Sequence, residues 1–226
     1  MSAATSHICI MSDSCLCAIT EDGHQIRGDE ADERLYDPDD ACQLYAGTQW
    51  GKGIRSFSWF HWQHKYWRRS FQAGVWFIAG NDFVAGNKVV DQFPEDHEFI
   101  SAMDAIAANI DLWCGRRGGV VLYGTFSFFR QAYSEITDED GRLFMSHMSR
   151  LRTEFIKRGV PVLWLKDSDL RHIPLGWDNV HVLDSVSSRE SQRELIHSAV
   201  ARLLNFNEEA EQVVECGAEE ACSMVL

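Results

Sequence analysis

The sequence lacks the features that mark membrane and secreted proteins. No uninterrupted apolar run is long enough to cross a bilayer, so we expect no membrane span. The first residues carry no basic region, and Asp13 interrupts the apolar stretch there, which argues against a signal peptide. The seven cysteines show no framework spacing, and Cys15 and Cys17 have no second ligand pair at zinc-finger distance. We therefore expect free thiols, no metal or other cofactor, and an intracellular, cytoplasmic protein.

Basic residues are scarce in two segments, and this explains the net charge of -13. Residues 21–40 hold nine acidic side chains against two arginines, and residues 208–226 hold six glutamates without Lys or Arg. The rest of the chain is neutral overall. The acidity therefore belongs to a loop and a tail, and it argues only modestly against a protein that coats DNA.

The length and composition of the chain are typical of one globular domain. The chain has 226 residues, 45% of them hydrophobic and 24% charged. We expect one domain over residues 1–206 and a disordered acidic tail over residues 207–226. Strands that are continuous apolar runs alternate with helices, which predicts a three-layer α/β/α fold with a mostly parallel five-stranded sheet. The predicted strands are His7–Met11, Cys42–Ala46, Gly74–Ala79, Val120–Tyr123 and Val160–Leu165.

The predicted helices include one that is unusually aromatic. Trp50 to Arg69 contains seven aromatic and five basic residues and no acid. Such a segment can bind single-stranded nucleic acid by stacking and charge, but large aromatic side chains are more often buried, and we favour a helix packed on the sheet. Residues 125–140 are predicted to be an aromatic loop. The predicted helices are Ser56–Arg69, Glu95–Trp113, Gly141–Arg158 and Glu190–Asn205.

Polar residues follow three of the predicted strands. In GVWFIAGND the apolar run stops at Gly80, so that the Asn81 amide can donate a hydrogen bond into a site and Asp82 can brace the turn. Ser14 follows the first strand, where it is either an exposed nucleophile or part of a segment that caps the next helix. A glycine-rich stretch with Gly51 and Gly53 follows the second strand and lacks the ending of a phosphate-binding P-loop. All three strand ends would meet at the carboxyl edge of the sheet.

These motifs resemble those of the SGNH (GDSL-type) hydrolases in order and spacing over residues 7–205. The SDSCL sequence that contains Ser14 resembles the GDSL block, Gly51 or Gly53 the second-block glycine, and AGND, which contains Asn81, the GxND block. The resemblance implies a flavodoxin-like sheet and an ester-hydrolysing serine. It also implies that Gly51 and Asn81 stabilise an oxyanion, and that an Asp and a His three residues apart complete a triad.

The sequence departs from the family pattern in two places. Ser12 stands where the family has glycine. The segment Asp184 to Ser187, just before the last helix, has serine where histidine is expected. An Asp-x-x-His spacing occurs at Asp169 and His172, directly after the fifth predicted strand, and His181 is another nearby imidazole.

Two functional hypotheses follow. The first is a serine esterase for a small-molecule ester, in which Ser14 attacks the acyl carbon and His172 (or His181) is the base, oriented by Asp169 (or Asp184). The alternative is a catalytically degenerate member of the same fold that acts as a binding module. Losing the base costs about 10⁴ to 10⁶ in rate, so the histidine decides between them. We favour the esterase because the predicted oxyanion donors are present.

Overall fold

Strands and helices alternate along the chain. The strands are β1 (Ser6–Asp13), β2 (Cys42–Gln49), β3 (Ala73–Ile78), β4 (Val84–Ala85), β5 (Lys88–Val89), β6 (Gly118–Leu122) and β7 (Val162–Trp164). The helices are α1 (His97–Trp113), α2 (Phe126–Ala132), α3 (Asp138–Lys157), α4 (Asp167–Leu170) and a last helix, α5, over residues 190–192 and 194–205. The computed structural model describes residues 6–13, 42–49, 53–56, 73–86, 88–113, 117–132, 135–175, 190–192 and 194–205.

Five of the strands form one sheet in the order β2-β1-β3-β6-β7, and every neighbouring pair is parallel. All residues of β3 and β6 are buried, as expected for central strands covered on both faces. The predicted α/β fold with a parallel sheet is confirmed. The strand order reverses at β1, which lies between β2 and β3. The carboxyl ends of β1 and β3 therefore flank a topological switch point, where ligands bind in sheets of this kind.

Helices α1 and α3 cover the same face of the sheet. The crossovers from β3 to β6 and from β6 to β7 run in the same direction, and right-handed connections therefore put both helices on one side. The side chains agree, because Arg158 Nε at the end of α3 donates to Asp104 Oδ1 of α1 at 2.7 Å. Arg150 of α3 pairs with Glu95, just before α1. These exposed pairs contribute about 1 kcal/mol at most, so apolar burial holds the layers together.

The Phe83 ring lies at the centre of the core next to the end of β3. It is 0% exposed. Its centroid lies 5.5 Å from Phe93, 6.2 Å from Phe99, 6.3 Å from Phe144 and 5.2 Å from His147. Because Phe83 closes the turn that begins at residue 81, the core anchors the segment that leaves β3.

The predicted strand positions are right, but several boundaries differ. β1 continues through Ser12 to Asp13, and β2 continues to Gln49, since parallel pairing between these strands extends to their last residues. Ser12 is thus part of a strand rather than of a turn, and it is 2% exposed.

The aromatic segment after β6 is helical, and the prediction of a loop there was wrong. Thr125 starts α2, because its Oγ1 accepts from Phe128 N at 3.3 Å and its carbonyl accepts from Phe129 N at 3.0 Å. Both phenylalanines are buried. Tertiary burial therefore stabilises a helix that is too short to show a periodic pattern.

Helix α3 begins three residues before the predicted start because a capping box precedes Gly141. Thr137 Oγ1 accepts from Asp140 N at 3.2 Å, and Thr137 N donates to Asp140 Oδ2 at 3.0 Å. The hydrogen bonds from Thr137 hold the pKa of Asp140 below its ordinary value. This contribution is therefore present at neutral pH and is lost as pH falls through the lowered pKa.

Replacing Thr137 with alanine is expected to lower the free energy of unfolding by about 1 kcal/mol, because Asp140 N then lacks its acceptor. Urea denaturation at pH 7 measures the change. Thr153→Ala is the matched control, since the exposed Thr153 hydroxyl only bonds back to the Ser149 carbonyl within the helix. An equal loss in both variants would contradict the role given to the cap.

Some predictions concern residues that the structure does not describe. They are the aromatic helix after Ser56 and the acidic tail of residues 207–226. None of the helices in the described ranges is both long enough and apolar enough to cross a bilayer.

Candidate active site

The predicted site residues divide into those that the structure describes and those that it does not. Asn81, Asp169 and His172 are described. Ser14, Gly51 and Asp184 lie outside the described residues. Strand β1, which leads to Ser14, ends at Asp13, beside β3 in the sheet.

Asn81 follows the carboxyl end of β3, as predicted, after a sharp change of chain direction. Gly80 makes the change with φ 95° and ψ 29°, in the left-handed region that favours glycine. Its surroundings also exclude a side chain, because a Cβ there would lie 2.6 Å from Met148 Sδ. Phe83 N donates to Gly80 O at 2.9 Å and closes a short 3₁₀ turn that starts at the partly exposed Asn81. The turn therefore presents Asn81 at the edge where the site was predicted.

The Asp82 carboxylate reaches across to the segment that follows β2. Oδ2 accepts from Ile54 N at 2.5 Å, and Oδ1 accepts from Arg55 N at 3.5 Å. Burial raises the pKa of Asp82, while hydrogen bonds from the backbone N–H groups of Ile54, Arg55 and Asp82 itself, and the Arg55 charge, act in the opposite direction. The sequence predicted that this carboxylate would brace its own turn. The structure shows that it also holds a second, distant segment against that turn.

The segment after β2 is fixed by three further features. Gly53 leaves room for the carboxylate, since a Cβ there would lie 2.6 Å from Asp82 Oδ1. Ile54 is 0% exposed. Arg55 pairs with Asp96, whose other oxygen accepts from Phe99 N at 2.8 Å at the start of α1. Among the described residues the Gly53 N–H donates to no acceptor.

In the structure, Asp169 and His172 each make hydrogen bonds to other residues. Asp169 Oδ2 accepts from Lys166 N at 2.7 Å, and its Oδ1 accepts from Arg202 Nη1 at 3.3 Å. His172 is exposed, and its Nε2 accepts from Arg171 Nε at 3.4 Å. The geometry therefore gives no support to an Asp169–His172 dyad.

A second Asp-x-x-His spacing, Asp178 to His181, was missed in the sequence reasoning, which considered His181 without Asp178. The same three-residue spacing that points to Asp169 and His172 identifies it. Asp178 and His181 lie outside the described residues, and α5 begins nine residues after His181. The pair thus stands shortly before the last helix, six residues before the Asp184–Ser187 position at which the family resemblance expects it.

Cavities lie at both edges of the sheet. One of about 220 Å³ is lined by Thr125, Ser127 and Gln131, after β6, and by Asp167 and Arg171, after β7, at the carboxyl edge. A larger cavity of about 520 Å³ lies at the amino end of β7, lined by Arg158 and Pro161 among others, far along the strands from Asn81. No cluster of three metal-binding side chains occurs within the described ranges.

No protein-family model matches the chain, and no curated protein matches it. Solved structures do. The acetylxylan esterase Axe2 from Geobacillus stearothermophilus superposes with a TM-score of 0.52 at 13% identity, covering 88% of this chain and 96% of that one. Two other Axe2 structures are catalytic mutants in which a histidine or a serine is replaced by alanine.

Two further structures agree with this comparison. A putative arylesterase from Agrobacterium tumefaciens matches with a TM-score of 0.51 at 10% identity, covering 88% of this chain and 100% of that one. LAE5, an α/β hydrolase from the metagenome of Lake Arreo, matches with a TM-score of 0.51 at 17% identity, covering 89% and 97%. The chain therefore has the fold of these esterases and of this hydrolase.

Proposed function

We propose that this protein is an SGNH-type serine esterase that hydrolyses a small-molecule ester through an acyl-enzyme at Ser14. The observation that carries the proposal is the arrangement of residues at the carboxyl edge of the sheet. There Asn81 stands at the end of β3, and Asp82 holds the segment that contains Gly53 against the turn. Strand β1 ends next to β3, one residue before Ser14. Nucleophile and oxyanion donors are the parts that acyl transfer requires.

In the proposed reaction the Ser14 Oγ attacks the acyl carbon, and a histidine ring nitrogen takes the hydroxyl proton. The Asn81 amide and the backbone N–H of Ser14 and of Gly51 or Gly53 stabilise the oxyanion. Collapse of the tetrahedral intermediate breaks the bond between the acyl carbon and the alcohol oxygen, and the histidine returns its proton to the alcohol. Water then repeats the sequence on the acyl-enzyme, releasing the acid and free Ser14.

We assign the base to His181, oriented by Asp178, in preference to His172. Both carboxylate oxygens of Asp169 accept from other groups, and Arg171 donates to the His172 ring. Support for His181 comes from the Asp-x-x-His spacing shortly before α5. The catalytic mutants of Axe2, which replace a serine and a histidine, support a serine and histidine pair in this fold.

The degenerate alternative is not favoured. It rests on Ser187 in the histidine position and Ser12 in the glycine position, and the first of these two arguments no longer holds once His181 takes the role. The nucleic-acid contact through Trp50 to Arg69 and the intracellular location remain predictions from the sequence.

Labelling with a fluorophosphonate tests the proposal. The wild type is expected to be labelled, and Ser14→Ala is expected to lose both labelling and ester hydrolysis, because the attacking oxygen is gone. Ser149→Ala removes an exposed serine on α3 and serves as the matched control, with labelling retained. An unlabelled wild type at every pH, or a labelled Ser14→Ala variant, would disprove the mechanism.

A further inference from the structure

One carboxylate connects two segments that the sheet alone does not join. Asp82 follows β3, and Ile54 and Arg55 follow β2, while β1 separates these strands in the sheet. Pairing with β1 aligns Thr48 of β2 with Phe77 of β3, but the strands end at Gln49 and Ile78, so this pairing does not extend to the segments that follow. The hydrogen bonds from Ile54 N and Arg55 N to Asp82 hold those segments together.

Placing a carboxylate at this contact costs folding free energy, because burial raises its pKa and disfavours the charged form. The carboxylate has one property that an apolar residue lacks. Its two oxygens accept from two consecutive backbone N–H groups, those of Ile54 and Arg55. The absence of a side chain at Gly53 lets the backbone approach the carboxylate. Function explains such a buried charge better than stability does.

We propose that Asp82 is a positioning residue, which fixes the segment after β2 so that its glycine N–H and the Asn81 amide face the same oxyanion. This inference rests on the proposed esterase function. Asp82 does not contact the substrate. It acts through Ile54 and Arg55, next to Gly53, and through its own neighbour Asn81.

The expected effect follows from the cost of a misplaced donor. Losing one oxyanion donor lowers kcat by about 10² to 10³. Asp82→Ala is therefore expected to lower kcat about 10²-fold. Little change in KM is expected, because the oxyanion forms only during the reaction and the bound ester does not yet carry that charge. Asp82→Asn keeps an acceptor for Ile54 N but sets an amide N–H against Arg55 N, and is expected to fall between. Asp91→Ala, an exposed acid after the β4–β5 hairpin, is the matched control.

Stability separates this role from a purely structural one. Since folding raises the pKa of Asp82, the charged side chain opposes folding as pH rises above its unfolded pKa. The charges that face it are Arg55 and, through Arg55, Asp96. The neutral isostere Asp82→Asn is therefore expected to keep or raise the Tm at pH 7 while kcat falls. Parallel losses of Tm and kcat would overturn the positioning role.

A double-mutant cycle with Gly53 tests the contact itself. Gly53→Ala keeps the backbone N–H, but its Cβ would collide with the Asp82 carboxylate, so kcat is expected to fall about as far as in Asp82→Ala. In the double variant the collision is gone, and the second change is expected to add little. If the kcat losses of the two single variants instead multiply in the double variant, the proposal is overturned. An Asp82→Ala enzyme with unchanged kcat would overturn it as well. An inert wild type would overturn the esterase function as well, and this result is distinguishable from the others.

Discussion

Replacing His181 with alanine is expected to lower kcat for ester hydrolysis by about 10⁴-fold or more, because in the proposed mechanism Ser14 then has no base to take its proton. Replacing His172 is expected to leave kcat close to that of the wild type. His172 is exposed on the segment after α4, beside the guanidinium of Arg171. The measurement is kcat and KM for a 4-nitrophenyl ester, with far-UV circular dichroism to confirm that each variant is folded.

The two histidines are matched controls for each other. His181→Gln, which keeps a polar side chain, is a second variant in case the alanine variant does not fold. The opposite result, loss of activity in His172→Ala alone, would contradict our assignment. It would mean that Asp169 leaves Arg202 and orients His172 during catalysis.

Replacing Phe83 with alanine is expected to lower the free energy of unfolding by about 3 to 5 kcal/mol. The ring is 0% exposed and packs against Phe93, Phe99, Phe144 and His147, so its loss removes apolar burial and leaves a cavity. Urea denaturation followed by fluorescence measures the change.

Ile156→Ala is the control for this prediction, because Ile156 on α3 is 51% exposed and its truncation is expected to change stability by less than about 0.5 kcal/mol. A Phe83→Ala loss as small as that of the control would contradict the central place given to the ring. Phe83 also ends the turn that begins at Asn81, so kcat of the folded variant is expected to fall too.

The sheet and one side of the site could be predicted from the sequence because their signals are local. The apolar run before Gly80 predicts a buried strand, and its abrupt end predicts that Asn81 lies at the carboxyl edge. The contact of Asp82 with Ile54 could not be predicted, since it joins residues 28 positions apart and depends on how the two strand ends meet.

Helix α2 shows a different reason for failure. FSFFRQA is too short for a helical period to stand out, and burial of Phe128 and Phe129 decides its structure. The choice of the catalytic histidine shows a third reason for failure. The pair at Asp178 and His181 was present in the sequence and was overlooked, whereas only the structure shows that Asp169 has other partners.

The link between Asp82 and the segment after β2 also bears on how the chain folds. Helix α3, with its capping box at Thr137, forms from contacts that are close in sequence, whereas the parallel pairs of β1 with β2 and β3 must close long crossovers first. Non-local pairings of this kind form slowly. We therefore expect the hydrogen bonds to Asp82 to be among the last native contacts to form. The proposed esterase activity, when it is regained on refolding, would then report the completed sheet rather than the earlier return of helical structure.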